Sequence, residues 1–214
     1  MHKPPAFNQT DKAELRALAA EYPLATLVVA SGDNLLINHI PLLWNIERQS
    51  KEELHGHIPR SNELVAALSD PVKTLTATAV FHGPEDYISP ADYPSKARHG
   101  KVVPTWNYAV AHLSGQLELR DDDNFVRQQI DQLTAQHEAR ANPDHPWSLD
   151  DAPTDFAGAM LNTITGIALS IERVEGKYKL SQNRDAADRS GAANGVSRRG
   201  NKALAELMRT FTPD

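Results

Sequence analysis

The stretch GKVVPTWNYAVAHLSG, residues 100–115, decides how the chain is read. From Val110 onward it alternates with period two. Val110, His112 and Ser114 share one face, and Ala111, Leu113 and Gly115 share the other. That spacing predicts a β-strand over residues 105–119, ended by the charged turn RDDD. Its beginning is unusual. A hydroxyl, an indole, an amide and a phenol stand side by side at Thr105, Trp106, Asn107 and Tyr108, directly after Pro104. An ordinary core strand has little use for four groups that each seek a hydrogen bond or a flat partner. The start of this strand is therefore expected to line a ligand.

Outward from this strand, TLTATAVFHG (74–83) shows the same alternation, and ATLVVA (25–30) is short and β-branched. SGDN turns that strand into LLINHIPLLW (35–44), which predicts a hairpin. ELHGHIP (53–59) reads as another strand, and TGIALSIERVEGKYKLSQ (165–182) as a long final strand or hairpin. A helix is predicted over 11–21, with Asp11 as N-cap, Glu14 placed as in a capping box and Pro23 as the stop. Further helices are predicted over 61–69, capped by Ser61 or Asn62, and over 122–140, 154–163 and 203–211. Residues 84–103 read as a loop. Six or seven strands with short connections argue against a regular βαβ alternation. No G-x-G-x-x-G opens a helix after a strand, and no P-loop is present. The expected fold is mainly β with peripheral helices (α+β): a split antiparallel β-barrel, with residues 1–214 forming one domain that ends in a C-terminal helix.

Composition narrows the function. The chain has 214 residues, 40% hydrophobic and 23% charged, which is ordinary for a globular protein. It has no cysteine, which excludes disulfides, thiolate catalysis and Cys-ligated metal. Its formal net charge of −6 counts against a sequence-independent nucleic-acid binder. Arg198, Arg199 and Lys202 form the best local basic patch, and a solvated helix start is the plainer reading of it. No window approaches the roughly 18 apolar residues of a spanning helix. MHKPPAFNQTDKAEL lacks a signal-peptide core, so a cytoplasmic location and no membrane contact are expected.

The chemically unusual residues fall in five clusters. INHIP places Asn38 and His39 beside Ile40 and Pro41 in an apolar strand. HGHIPRSN carries His55, His57, Arg60, Ser61 and Asn62. YISPADYPSK carries Ser89 and Lys96. VPTWNY is the strand start described above. GKYKLSQNR carries Lys177, Lys179, Ser181, Gln182, Asn183 and Arg184. A guanidinium at a helix start suits a phosphate. Trp106 and Tyr108 offer flat faces, and the amides offer paired donors and acceptors. A phosphate joined through a polyhydroxyl link to a flat heteroaromatic ring would use all of these, which describes a nucleotide-like cofactor such as FMN. His55 and His57 share a strand face, but no acidic set of recognisable spacing joins them, so no metal is expected. Ser181 lacks a G-x-S-x-G context and is not read as a nucleophile.

In this order the clusters resemble one family. KPPAF (3–7), YPLATLV (22–28), NHIPLL (38–43), GHIPRSN (56–62), FHGPEDYISPADY (81–93), GKVVPTWNY (100–108), HPWSLDDAP (145–153) and GKYKLSQNR (176–184) are similar to the PaiB-type FMN-binding negative transcriptional regulators, small bacterial proteins related to split-barrel flavoproteins. The resemblance implies a six-stranded split barrel that binds FMN at a homodimer interface. It places the strand from Asn38 through His39 and Ile40 to Pro41 beside the flavin, with His57 nearby. It places Arg60 and Asn62 at the phosphate. It assigns Thr105, Trp106, Asn107, Lys179, Ser181 and Gln182 to the remaining lining, with the other subunit as a source, while Ser89 and Lys96 are candidate cofactor contacts from their residue type alone. Family members tend to read S-P-S-W-Y where this chain has Ser89-Pro90-Ala91-Asp92-Tyr93.

Three functions follow from that resemblance. One is an FMN-binding regulator, whose direct contact with DNA would need the Arg198–Lys202 patch; no helix-turn-helix signature is present. Another is a flavin-dependent oxidoreductase with a nicotinamide donor, for which His39, His57 and His112 have suitable intrinsic pKa values. The third is a split barrel that takes another planar ligand such as haem. No catalytic residue is assigned.

Overall fold

The computed structural model describes residues 1–46, 51–69 and 74–211. After a 3-10 turn at Pro5–Phe7, β1 is Asn8–Gln9 and α1 is Lys12–Glu21. Asp11 caps α1 as expected, its carboxylate accepting from Ala13 N at 2.7 Å. The reciprocal half of the capping box differs. The Asp11 N–H donates to Gln9 Oε1 at 2.8 Å, so Gln9 takes the place expected of Glu14.

The predicted hairpin is present. β2 (Leu24–Ser31) and β3 (Asn34–Pro41) pair antiparallel from Leu24↔Pro41 to Ser31↔Asn34. The single strand expected over 35–44 is two strands. β3 ends at Pro41, which has no N–H with which to continue the ladder. Leu42 N then donates to Pro23 O at 3.0 Å. β4 (Leu43–Ile46) leaves in register with a different partner, β5 (Glu52–Pro59), through Leu43↔His55. Gly56 packs closely against this break, where a Cβ would lie 2.6 Å from Leu42 Cδ2 and 3.3 Å from Pro41 O.

Three long strands carry the rest of the sheet: β6 (Leu75–Ile88), β7 (Thr105–Arg120) and β8 (Ile164–Lys179). β8 is one strand and not a hairpin. The expected loop over 84–103 is partly ordered. β6 runs on to the buried Ile88, a 3-10 turn spans Pro90–Asp92, and α3 (Ser95–His99) ends at Gly100 with φ 67°. Of the remaining helices, α2 is Glu63–Ala67, α4 Asp123–Ala141, α5 Thr154–Leu161, α6 Ala186–Arg198 and α7 Lys202–Thr210. Asn62 is the cap of α2, accepting from Leu64 N at 2.9 Å. α6 has no counterpart in the sequence reading. The sheet has eight strands, more than expected, in the order β3-β2-β6-β7-β8-β5-β4, with β1 on β8. The pairs β2–β6, β4–β5 and β5–β8 are antiparallel.

The chain divides into two compact units, interleaved in sequence. The first comprises Met1–Tyr22, Phe81–His112 and Glu175–Asp214, and the second Pro23–Val80 and Leu113–Val174. In the first, Leu15, Phe81, Tyr93, Tyr178, Leu204 and Met208 are buried. In the second, Leu27, Leu54, Ile58, Leu64, Leu117 and Ile167 are buried. Among the described residues no helix is long and apolar enough to cross a membrane.

Candidate functional site

In the first unit, the alternation of β7 sorts the four polar residues at its start. Thr105 and Asn107 point to one face, and Trp106 and Tyr108 to the other. Asn107 is fully buried. Its Nδ2 donates to Ser181 Oγ at 2.8 Å and lies 3.6 Å from Met208 Sδ, while its Oδ1 is buried without a partner among the described residues. Ser181 has φ 62°, the left-handed region that a side chain disfavours. Gln182 closes the turn around it, accepting from Leu180 N and donating to Tyr178 O, both at 2.6 Å. Strain of this kind persists only where the surroundings fix it, and such residues cluster at functional sites.

The turn follows directly on the end of β8, where the cations gather. Lys179 Nζ donates to Thr105 Oγ1. Burial, with the positive charges of Lys177 and Arg184, lowers the Lys179 pKa. Among the described residues no carboxylate pairs with Lys177, Lys179 or Arg184. Lys177 Nζ sits 5.4 Å from the centroid of the Tyr108 ring, and the Arg184 guanidinium 5.0 Å from that of Tyr93. Tyr108 also lines a cavity of ≈ 390 Å³ with His82, Gly83, Glu85, Ala109 and Val110. Trp106 is 52% exposed, with Tyr87 edge-on to it at 6.3 Å.

Two other predicted residues of this unit stand apart from these contacts. Ser89 caps the 3-10 turn, accepting from Ala91 N at 3.1 Å. Lys96 is exposed on α3. The Arg198–Arg199 pair faces a carboxylate. Arg198 Nη2 donates to Asp92 Oδ1 at 3.1 Å, and Arg199 Nη1 to Asp92 Oδ2 at 2.7 Å. Arg199 also donates to Tyr87 O at 2.8 Å. Asp92, whose side chain is 7% exposed, reaches them across α6, where a Cβ on Gly195 would collide with its carboxylate.

The second unit holds the other predicted group. Asn62 Nδ2 donates to Asn38 Oδ1 at 2.7 Å, and Asn38 Nδ2 is buried without a partner among the described residues. His39 is exposed, its Nδ1 3.2 Å from Thr26 Oγ1. Ile40 is buried, and Pro41 ends the strand. His57 Nδ1 donates to Gln129 Oε1 at 2.7 Å. Arg60 was expected to face open N–H groups at a helix start. α2 is only five residues long, and Asn62 already takes its Leu64 N–H. Arg60 itself lies 2.6 Å from Asp121 Oδ1 and donates to Asn162 O at 3.1 Å. Its hydrogen bond holds the Asp121 carboxyl below the usual range. Among the described residues no group of three His, Asp or Glu is placed to hold a metal ion.

Glu53, outside the five sequence clusters, is buried beside His55. The pattern Glu53-x-His55-x-His57 was a visible signal: three polar residues at strand spacing mark one polar face.

The comparisons with known proteins agree on one family. A family described as "Putative FMN-binding domain" matches residues 1–173. An uncharacterized protein of Emericella nidulans is 31% identical over 91% of this chain and 91% of its own length. The chain belongs to this FMN-binding domain family. The protease synthase and sporulation protein PAI 2 of Bacillus subtilis is 26% identical over 97% of this chain and 96% of its own, which bears out the PaiB-type resemblance. The family thus reaches fungi as well as bacteria. Among solved structures, the FAD and heme binding protein from Mycobacterium smegmatis aligns with a TM-score of 0.56 at 18% identity, covering 80% of this chain and 73% of that one. Such neighbours are split-barrel folds, as expected for this chain. The family match ends at residue 173, so Lys177, Lys179, Ser181, Gln182 and Arg184 lie beyond it.

Proposed function

We propose that the protein binds FMN as a homodimer of the PaiB-type regulator class. The observation that carries this reading is the Lys177–Lys179–Arg184 cluster in the first unit. Lys179 is partly buried beside Thr105, feels the positive charges of Lys177 and Arg184, and has no carboxylate partner among the described residues. Desolvated cations without counter-charge are costly unless an anion joins them. A phosphate is such an anion, and the Thr105 hydroxyl stands beside Lys179 to accompany it. The Tyr108 cavity, with Lys177 over its ring, is within the size range of a cofactor pocket. In the second unit, Asn38 Nδ2 is buried without a partner among the described residues, and the Arg60 guanidinium is taken up by Asp121.

When bound, a flavin supplies one- and two-electron chemistry; the protein supplies orientation and charge. Asn107, Ser181 and Gln182 are assigned to holding the end of β8 so that Lys179 meets Thr105. The homodimer reading rests on the sheet edge. β3 ends the strand order, and Leu24, Leu35 and Ile37 are 60%, 64% and 56% exposed on its hairpin. An exposed apolar edge strand is a liability unless another chain covers it. Regulation is assigned to the bound flavin and not to direct DNA contact, because Arg198 and Arg199 are turned to Asp92.

The test is the visible absorption spectrum of the purified protein after FMN is added and the excess removed. A flavin band that stays with the protein, and weakens in Lys179→Ala, is expected. A colourless protein that does not retain added FMN would overturn the reading.

A further inference from the structure

Within the second unit, α4 and β5 contribute to a cavity of ≈ 340 Å³, lined by Lys51, Glu53, His55, Arg120, Phe125 and Gln129 among others. None of these six belongs to the cofactor groups assigned above. Glu53 is 2% exposed, and its charge is met internally. It accepts from His55 Nε2 at 3.0 Å and from Ser170 Oγ at 3.2 Å, and lies 2.6 Å from Lys51 Nζ. Burial pushes its pKa up, but the bonds from Lys51 and His55 and the charges of Lys51 and Arg120 outweigh that and bring it down to about 2. His55 is engaged at its other nitrogen too, where Asn45 Nδ2 donates to Nδ1 at 2.9 Å. The Asn45–His55–Glu53 chain is closed and presents no free base.

The open groups are donors. Gln129 is 2% exposed, and its Oε1 accepts from His57, but its Nε2 is buried without a partner among the described residues. A buried donor without an acceptor is unfavourable, so an acceptor at this position would be stabilising. Lys51 and Arg120 are only partly covered, their side chains 56% and 38% exposed. Arg120 lies 2.6 Å from Glu118 and 3.6 Å from Glu53. A guanidinium carries more N–H donors than these two contacts occupy. Phe125 lines the cavity, its ring tilted against His55 at 4.8 Å and 5.8 Å from the Arg120 guanidinium.

From the orphaned donor of Gln129, the remaining N–H groups of the partly exposed Arg120 and the Phe125 ring, we infer that this cavity binds a small planar carboxylate. It would be an aromatic or heteroaromatic acid whose oxygens accept from Gln129 and Arg120 and whose ring lies against Phe125. The inference goes beyond the FMN reading and does not need it.

Calorimetric titration of the full chain with benzoate, benzamide, acetate and inorganic phosphate tests it. Benzoate should bind about tenfold more tightly than benzamide or acetate, and Gln129→Leu should weaken it about tenfold. Arg120→Gln changes a partly exposed residue and should show a comparable loss even if the Gln129 variant fails to fold. Benzoate that does not saturate by about 10 mM, or that binds both variants as it binds the parent, would overturn the inference. Stronger binding of phosphate than of benzoate would overturn the planar-acid class. Competition between benzoate and FMN would show that this is no separate site.

Discussion

Two basic groups occupy the first unit, and they have opposite fates. Arg198 and Arg199 stand side by side in sequence and look like a patch, yet both reach a nearly buried carboxylate on Asp92. Lys177, Lys179 and Arg184 are spread over eight positions, yet the first and last act on Lys179 through their charge and none has a carboxylate partner among the described residues. Adjacency in sequence is therefore a poor guide to a free positive site. What counts is whether the fold delivers a counter-charge. The arginines have become structural, and the lysines are left with a need that a phosphate would meet.

Four substitutions and a pH series test this contrast. The largest expected effect is at α6. Gly191 and Gly195 lie one helical turn apart, and a Cβ on either would collide with Asp92, its backbone carbonyl in one case and its carboxylate in the other. Gly191→Ala should cost about 1–3 kcal/mol in denaturant unfolding, because the backbone must shift. Little change there would mean that Asp92 is loosely seated. Next comes Arg199→Ala, which removes the bond to Oδ2 of Asp92 and the bond to Tyr87 O. It should lower stability by about 1–3 kcal/mol and leave FMN retention unchanged. Loss of flavin without loss of stability would reverse the roles assigned to the two groups.

Lys179→Ala should behave in the opposite way, with FMN affinity falling about tenfold or more and stability held or slightly raised, since a partly buried, repelled charge is removed. A smaller effect is expected from acid. The Glu53 pKa is depressed to about 2, so its contribution is present above its unfolded value and is lost as pH falls from about 5 toward 2. Melting temperature should decline through that window, and Glu53→Gln should flatten the decline. Equal slopes in the parent and the variant would place the acid sensitivity elsewhere.

Much of the fold was legible because local signals agreed with it. The β2–β3 hairpin, the Asp11 cap and the long β7 were set by turn residues, a side-chain oxygen and two-residue alternation. The break between β3 and β4 was harder to see. LLINHIPLLW is apolar throughout, and only the missing N–H of Pro41 marks where the chain changes partner. α6 was invisible because its buried face is built from Ala192, Ala193, Gly195 and Val196, and its glycines weaken the helical signal. Those glycines make sense only once Asp92 is seen resting on them, which is a tertiary fact.

The candidate site was legible in its composition and less so in its arrangement. PTWNY and KLSQN do meet, through Asn107 and Ser181 and through Thr105 and Lys179. The spacing did not reveal that Asn107 turns inward while Trp106 turns out, or that Arg60 already has Asp121 as a partner. Asp92, in the SPADY segment, is the anchor of two arginines, a role its sequence neighbours do not announce.

The Lys177–Lys179–Arg184 cluster is proposed above as a phosphate seat. The most direct measurement is a paired fluorescence titration of the protein with FMN and with riboflavin, repeated in Lys179→Ala. FMN should bind the parent at least about tenfold more tightly than riboflavin, and the variant should lose most of that difference while riboflavin affinity stays nearly constant. Equal affinity of the parent for the two flavins, or an FMN preference that survives Lys179→Ala, would contradict it.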